Sequence, residues 1–150
     1  MIRPIPDGIR VSQEFGLTAF ARSSGAYPTP GHLGMDFASP MNAPLVAPAA
    51  GKVWHVGFGN PWSWGYHLTL TDRDDRRHIF AHLKADSARV KVGDEVAEGA
   101  VLAATCDTGW STGPHLHSQV IDFDEGTAAM HHAIDPRTLL DPGRYTTTAL

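Results

Sequence analysis

Five ionisable side chains, scattered along the chain, have the types and spacings from which hydrolytic chemistry can be built. His115-Leu116-His117 is an H-x-H. In a strand, residues i and i+2 point to the same face, so both imidazoles project together while Leu116 enters the opposite side. Alone, such a pair is also what chance leaves on a polar strand face. His32 and Asp36, four apart in the run HLGMD, could share a ligand set, and His82 lies in the strand-like run IFAHL. Each signal is weak by itself; together they are sharper. Catalytic zinc commonly takes three protein ligands from His, Asp and Glu and keeps a fourth position for water, whose pKa falls to about 7 in favourable cases. The chemistry also needs a group to take the proton and a donor for the developing oxyanion. One carboxylate and four histidines can fill all of these roles.

The elements that position them are strands. Val53 and His55 alternate with Trp54 and Val56 between Gly51 and Phe58, and Tyr66, Leu68 and Leu70 alternate with His67, Thr69 and Thr71. This period of two predicts strands. The polar run Asp72 to Arg77 predicts a turn, with His78 to Leu83 as the hairpin partner. VKVGDEVAEGAVLAAT predicts short β pieces turning at Gly93 and Gly99, and Leu116 and Val120 mark one more strand. No run of ten or more residues keeps helical spacing. The expectation is a mainly β, single-domain antiparallel barrel or sandwich with short hairpins and long groove-forming loops. Residues 17–31 and 59–65 read as loops that carry aromatics. Trp62 and Trp64 either contact a partner or cap the end of the core.

Composition narrows the function classes. A chain of 150 residues suits one domain with a real core. Twelve basic against sixteen acidic residues give a net charge of -4, which offers no basic stripe for nucleic acid. No apolar run approaches a membrane span, and MIRPIPDGIR lacks the apolar stretch of a secretory signal. The lone Cys106 excludes an internal disulfide, and with no signal the expectation is synthesis and folding in the cytoplasm. Nine histidines against three lysines are unusual, and histidine is the commonest metal ligand.

Four blocks in order, GHLGMDFASPMNAPLVAPAAGKV, IFAHL, VKVGDEVAEGAVLA and TGWSTGPHLHSQV, resemble the sequential signature of the lysostaphin/LytM-type zinc endopeptidases. VSQEFG and IDPRTLL resemble that family's edges, so the motif-bearing part covers about residues 11–140 of a single domain spanning 1–150. The resemblance implies one zinc ion on His32, Asp36 and His117, with His82 and His115 flanking the catalytic water. It implies cleavage of peptide bonds in peptidoglycan, in a stem cross-link or an interpeptide bridge; separately, a monomer is expected. One of His82 and His115 is expected to act as the base and the other as the oxyanion donor, with His115 preferred as the base. Tyr27, Trp62 and Trp64 are the candidate groove contacts. With no signal or wall-binding module read in the chain, the expectation is a phage lysin or virion-associated hydrolase acting on the cell wall.

The chain departs from the family pattern in places. Ser118 and Gln119 stand where the family has an aromatic and an acid directly after H-x-H, Phe80 replaces a common Tyr, and Leu17 and Thr18 stand where an Arg often follows the early FG. Outer partners orient metal-bound histidines, so these changes bear on the supporting geometry rather than on the ligands. The rival is a non-catalytic LytM-type domain that binds or activates wall enzymes, and such domains have typically lost ligands. A thiol mechanism on Cys106 fits less well, because Cys106 follows a β-like run rather than opening a helix. A carrier-domain hairpin at VKVGDEVAEGAVLA lacks a suitably placed lysine. His78 beside its turn is expected to be solvated, His55 and His67 to sit on half-polar strand faces, and His131 and His132 to have no metal role.

Overall fold

The computed structural model describes residues 1–24, 31–122 and 133–141. Tyr27, His131 and His132 lie outside these residues.

The expected strands form where alternation is longest: β4 (Gly51–Phe58), β5 (Tyr66–Asp72), β6 (Arg77–Leu83) and β9 (Leu116–Ile121). Six short strands join them: β1 (Val11–Gln13), β2 (Met35–Phe37), β3 (Pro44–Val46), β7 (Glu95–Val96), β8 (Val101–Ala104) and β10 (Ala133–Ile134). One eight-stranded sheet runs β1-β2-β9-β6-β5-β4-β7, with β10 also pairing with β9, and β3 pairs with β8 in a second, two-stranded sheet. All pairings are antiparallel. The mainly β, antiparallel expectation therefore holds.

The core lies between the sheets. Phe37, Val53, Leu68, Leu70, Phe80 and Leu116 from the large sheet pack in one cluster with Leu45 and Leu102 from the small one. Alternation then sends the intervening residues of the large sheet to its other face, where the candidate site is built. Gly93 and Gly99 take the positive φ (93° and 83°) that their predicted turns require.

Two expectations need correction. Residues 17–31 are not loop throughout, because Ala19–Ser24 forms the short helix α1, with Thr18 Oγ1 accepting from the Ala21 amide at its start. Thr18 is a good capping residue, and a six-residue helix is too short to leave a periodic pattern. His78 is not solvated: it is 1% exposed and its Nε2 lies 2.9 Å from Asp72 Oδ2. The Asp72 carboxylate also caps the amides of Asp74 and Arg76. The polar turn thus turns inward onto His78 instead of leaving it in water.

Candidate metal centre

Asp36 and His117 are brought together by sheet register. On β2, Met35 and Phe37 enter the core, so Asp36 faces the other way; on β9, Leu116 is buried and His117 alternates with it. Asp36 and His117 are direct antiparallel partners, so their side chains meet on that face. His32 arrives from the segment before β2, fixed by an isolated bridge to Gly16. The three ligand atoms converge. His117 Nδ1 lies 2.8 Å from Asp36 Oδ1, His32 Nε2 lies 3.2 Å from the same oxygen, and the two nitrogens are 3.1 Å apart.

These separations fit a shared cation. Tetrahedral zinc with bonds of about 2.0–2.1 Å places its ligand atoms roughly 3.3 Å apart. Each ring also has its other nitrogen engaged. His32 Nδ1 donates to the Glu14 carbonyl at 3.0 Å, and His117 Nε2 lies 3.4 Å from Gln119 Oε1. Those contacts turn His32 Nε2 and His117 Nδ1 toward the common point in the tautomers that ligation needs. Among the described residues this is the one group of three metal-capable side chains that converge, and all three are buried. Burial raises the Asp36 pKa, but hydrogen bonds and charge from His117 and His32 outweigh it, so the carboxyl sits far below the usual carboxylate range and stays ionised.

Gly34 makes the cluster possible. A Cβ there would lie 2.7 Å from His117 Cε1, 2.9 Å from its Nε2 and 2.6 Å from the Ser118 carbonyl oxygen. The chain passes so close behind His117 that only hydrogen fits.

His82 and His115 close the open side. The Cys106–His115 bridge sets His115 just before β9, and its Nε2 lies 4.0 Å from Asp36 Oδ2. Its Nδ1 donates to the Gly113 carbonyl at 2.9 Å, with Ser111 Oγ at 3.1 Å. By strict alternation His82 would share the core face of Phe80. It does not, because β6 carries a bulge. Tyr66 pairs with Leu83 but Leu68 pairs with Phe80, so three steps of β6 oppose two of β5. His82 sits in the bulge with φ of 60°, and such bulges re-aim a side chain. A left-handed non-glycine residue costs about 1 kcal/mol or more and persists only when its surroundings hold it. Here the Cys106 amide donates to the His82 carbonyl at 2.9 Å, and His82 Nδ1 donates to the Thr108 carbonyl at 2.7 Å. The His82 and His115 ring centroids end 4.4 Å apart. Burial, opposed by the Thr108 hydrogen bond and reinforced by His115 and His117, lowers the His82 pKa to about 4. Its resting state is therefore neutral, with Nε2 as the acceptor.

Around this centre the aromatic positions divide. Trp62 is 73% exposed on a single 3-10 turn, Trp62–Trp64, whereas Trp64 packs edge-on against His67. His67 in turn stacks on His55, with ring centroids 4.3 Å apart, and is itself buried. Trp110, which sequence reasoning passed over, is also exposed, and its amide donates to the Ser63 carbonyl at 2.8 Å. Cys106 is buried, as expected of a small core residue. No helix among the described residues is long and apolar enough to cross a membrane.

With this geometry in hand, comparison with known proteins is specific. Residues 30–136 match the model of peptidase family M23. Lysostaphin of Staphylococcus simulans is 34% identical over 117 residues, 76% of this chain and 22% of that protein. Its solved structure, described as the catalytic domain of an antimicrobial peptidase, superposes with a TM-score of 0.74 at 27% identity, over 87% of this chain and 91% of that one. The peptidoglycan DD-endopeptidase ShyB of Vibrio cholerae is 37% identical over 99 residues, 66% of this chain and 22% of that protein. A solved zinc-containing peptidase from Vibrio cholerae superposes with a TM-score of 0.68 at 27% identity, over 88% of this chain and 37% of that one. The chain thus spans less than a quarter of the length of these two relatives.

Proposed function

The chain belongs to peptidase family M23, of the lysostaphin/LytM type, and on that premise we propose that it is a zinc-dependent endopeptidase that cuts peptide bonds of bacterial peptidoglycan. The observation that carries this is the convergence of His32 Nε2, Asp36 Oδ1 and His117 Nδ1 to within 2.8–3.2 Å of one another on a face that His82 and His115 also line. The substrate class follows the relatives, among them a peptidoglycan endopeptidase; the bond is in a stem cross-link or an interpeptide bridge. The rival, a non-catalytic binding domain, has no reason to keep both the three ligands and the two flanking histidines, and all five are in place.

A zinc ion on the triad supplies Lewis acidity, polarising a carbonyl and lowering the pKa of water. The protein's own residues do the rest. With both Nδ1 atoms donating to backbone carbonyls, the Nε2 atoms of His82 and His115 are acceptors, and together they can hold the two protons of one water. His115, whose Nε2 lies 4.0 Å from Asp36 Oδ2, takes the proton. From Nε2 the proton then passes to the leaving amine. The donor role first assigned to His82 needs a proton on Nε2 as well as on Nδ1, which burial opposes, so His82 is proposed to orient the water instead. Trp62, and with it Trp110, presents an exposed ring to the substrate.

Mass analysis of muropeptides released from several purified wall types tests this. New amine termini are expected with the zinc-loaded protein, lost on chelation, restored by zinc and absent for His117→Ala. Undiminished cutting by His117→Ala, or activity that survives a strong chelator, would overturn the assignment.

A further inference from the structure

Thr108 opens the TGWSTGPHLHSQV block but is not one of the five residues that carry the chemistry, yet two strands meet on it. Its hydroxyl donates to the Leu83 carbonyl, next to His82 in β6, at 2.6 Å. The same oxygen accepts the Tyr66 amide, at the start of β5, at 3.0 Å. Its carbonyl accepts His82 Nδ1 at 2.7 Å. A hydroxyl that donates once and accepts once between two adjacent strands cannot rotate without losing a bond, so it sets where the Thr108 carbonyl points.

The loop around Thr108 is tied to the aromatic turn as well. The Trp110 amide donates to the Ser63 carbonyl inside the Trp62–Trp64 turn, and the Tyr66 amide held by Thr108 lies just after that turn. Gly65 and Gly109, with φ of 62° and 81°, pass so closely that a Cβ on either would run into the other loop's backbone. The exposed Trp62 and Trp110 thus stand on two loops joined to each other, and one of those loops ends on the imidazole of His82.

We propose that Thr108 is a positioning residue: its hydroxyl clamp aims the carbonyl that fixes the tautomer and reach of His82, and it ties that histidine to the aromatic loops. Without the clamp the carbonyl is free to turn, His82 loses the partner that keeps its proton on Nδ1, and the left-handed bulge that carries it is held by one bond fewer. The metal triad is untouched: among the described residues its side-chain hydrogen bonds run to Glu14, to Gln119 and within the triad. The consequence for catalysis rests on the endopeptidase reading above; the consequence for the tautomer does not.

The test compares wild type, Thr108→Val, which keeps the β-branch and removes the hydroxyl, and Thr108→Ser, which restores it. In all three, zinc affinity is measured by competition, wall-peptide cleavage is resolved into kcat and KM, and the His82 tautomer is read from ring ¹H–¹⁵N correlations of zinc-loaded protein. Expected for Thr108→Val are unchanged zinc affinity, a fall in kcat of about 10²-fold, the scale of a misplaced reacting group, and a His82 ring no longer held with its proton on Nδ1. Thr108→Ser is expected to recover most of both. Should Val not fold, Thr108→Ala replaces it. Wild-type kcat in the folded Val variant overturns the proposal, and so does loss of zinc affinity in step with activity. If wild type cuts no wall at all, the endopeptidase reading fails, and the tautomer decides the clamp by itself: a His82 ring unchanged between wild type and Val refutes it.

Discussion

Substituting Gly34 by alanine tests the metal centre without any assay of activity. The new Cβ would lie 2.7 Å from His117 Cε1 and 2.6 Å from the Ser118 carbonyl oxygen. Ordinary contact between carbon atoms is about 3.5–4.0 Å, so the overlap with the ring is roughly 1 Å. Neither neighbour yields cheaply. Ser118 is part of β9, paired with both β2 and β6, and the His117 ring is boxed in by Asp36 at 2.8 Å and His32 at 3.1 Å. Well-formed metal sites hold their ligand distances to about 0.2 Å, so a ring displaced by even half the overlap leaves the coordination sphere. Overpacking of this kind costs about 1–3 kcal/mol, which for a chain of this size lowers the melting temperature by about 3–10 °C. A displaced ligand weakens zinc by about 10–100-fold, equivalent to about 1.4–2.7 kcal/mol. Thermal unfolding of the metal-free variant reads the first quantity, and competition with a chelating indicator reads the second. Gly113→Ala is the control, because a Cβ there meets nothing within 4 Å. A Gly34→Ala protein that melts with wild type and binds zinc as tightly would show that the close approach behind His117 does not hold the site.

Three further outcomes are expected. His82→Ala and His115→Ala retain stoichiometric zinc by elemental analysis but lose about 10²–10³ in turnover on cell walls; a variant that loses metal and activity together points to a ligand rather than a flanking role. Gln119→Leu removes the oxygen that faces His117 Nε2 and weakens zinc about 10-fold or more in competition titrations, whereas Gln119→Glu, with a charged acceptor in the same place, tightens it; equal affinity in all three would remove Gln119 from the site. Burial above all places the folded pKa of His82, about 4, below its unfolded value near 6.5, so between those values the unfolded chain holds a proton that the folded one lacks. Stability of the metal-free protein therefore falls as pH drops from about 6.5 to about 4 and is unaffected by this group above that window. The urea midpoint of wild type minus that of His82→Gln follows that curve, and a difference that is flat across the window contradicts it.

Most of the strands legible in the sequence are those long enough to show alternation, and β7 and β8 were legible instead as short β-rich pieces beside the turn residues Gly93 and Gly99. β4, β5, β6 and β9 each run six to eight residues, and their polar and apolar residues mark the two faces of the sheet directly. β1, β2, β3 and β10 are two or three residues long. A period of two cannot be read from three residues, so Met35-Asp36-Phe37 carries no strand signal of its own; it becomes β2 because β9 supplies its hydrogen bonds and the core takes Met35 and Phe37. Tertiary pairing, not local propensity, makes that strand. His78 failed for a related reason. A polar turn is ordinarily wet, but the Asp72 carboxylate gathers two turn amides and an imidazole, and a satisfied network of that kind can be buried.

At the metal centre, legibility divides between atoms that react and atoms that position. His32, Asp36, His82, His115 and His117 could be named in advance as candidates because ligation and proton transfer admit few side-chain types, and the structure places these five side chains near one another. How His82 gets there could not be read. Alternation places it with His78 and Phe80, and only a bulge and a left-handed backbone bring it round to His115. The three positions that hold the arrangement work through atoms with no chemical signature: a missing Cβ at Gly34, a main-chain carbonyl at Thr108 and an amide oxygen at Gln119. A glycine in HLGMD reads as a turn and a threonine before Gly109 as a loop residue. Their roles follow from distances across the fold, set by residues 83 positions away for Gly34 with His117 and 42 positions away for Thr108 with Tyr66, and they arise only once β9 and the 59–65 segment have been placed. Reactive groups at such a site are therefore constrained by type and can be recognised singly, whereas their supports are constrained by space and become recognisable only in the folded chain.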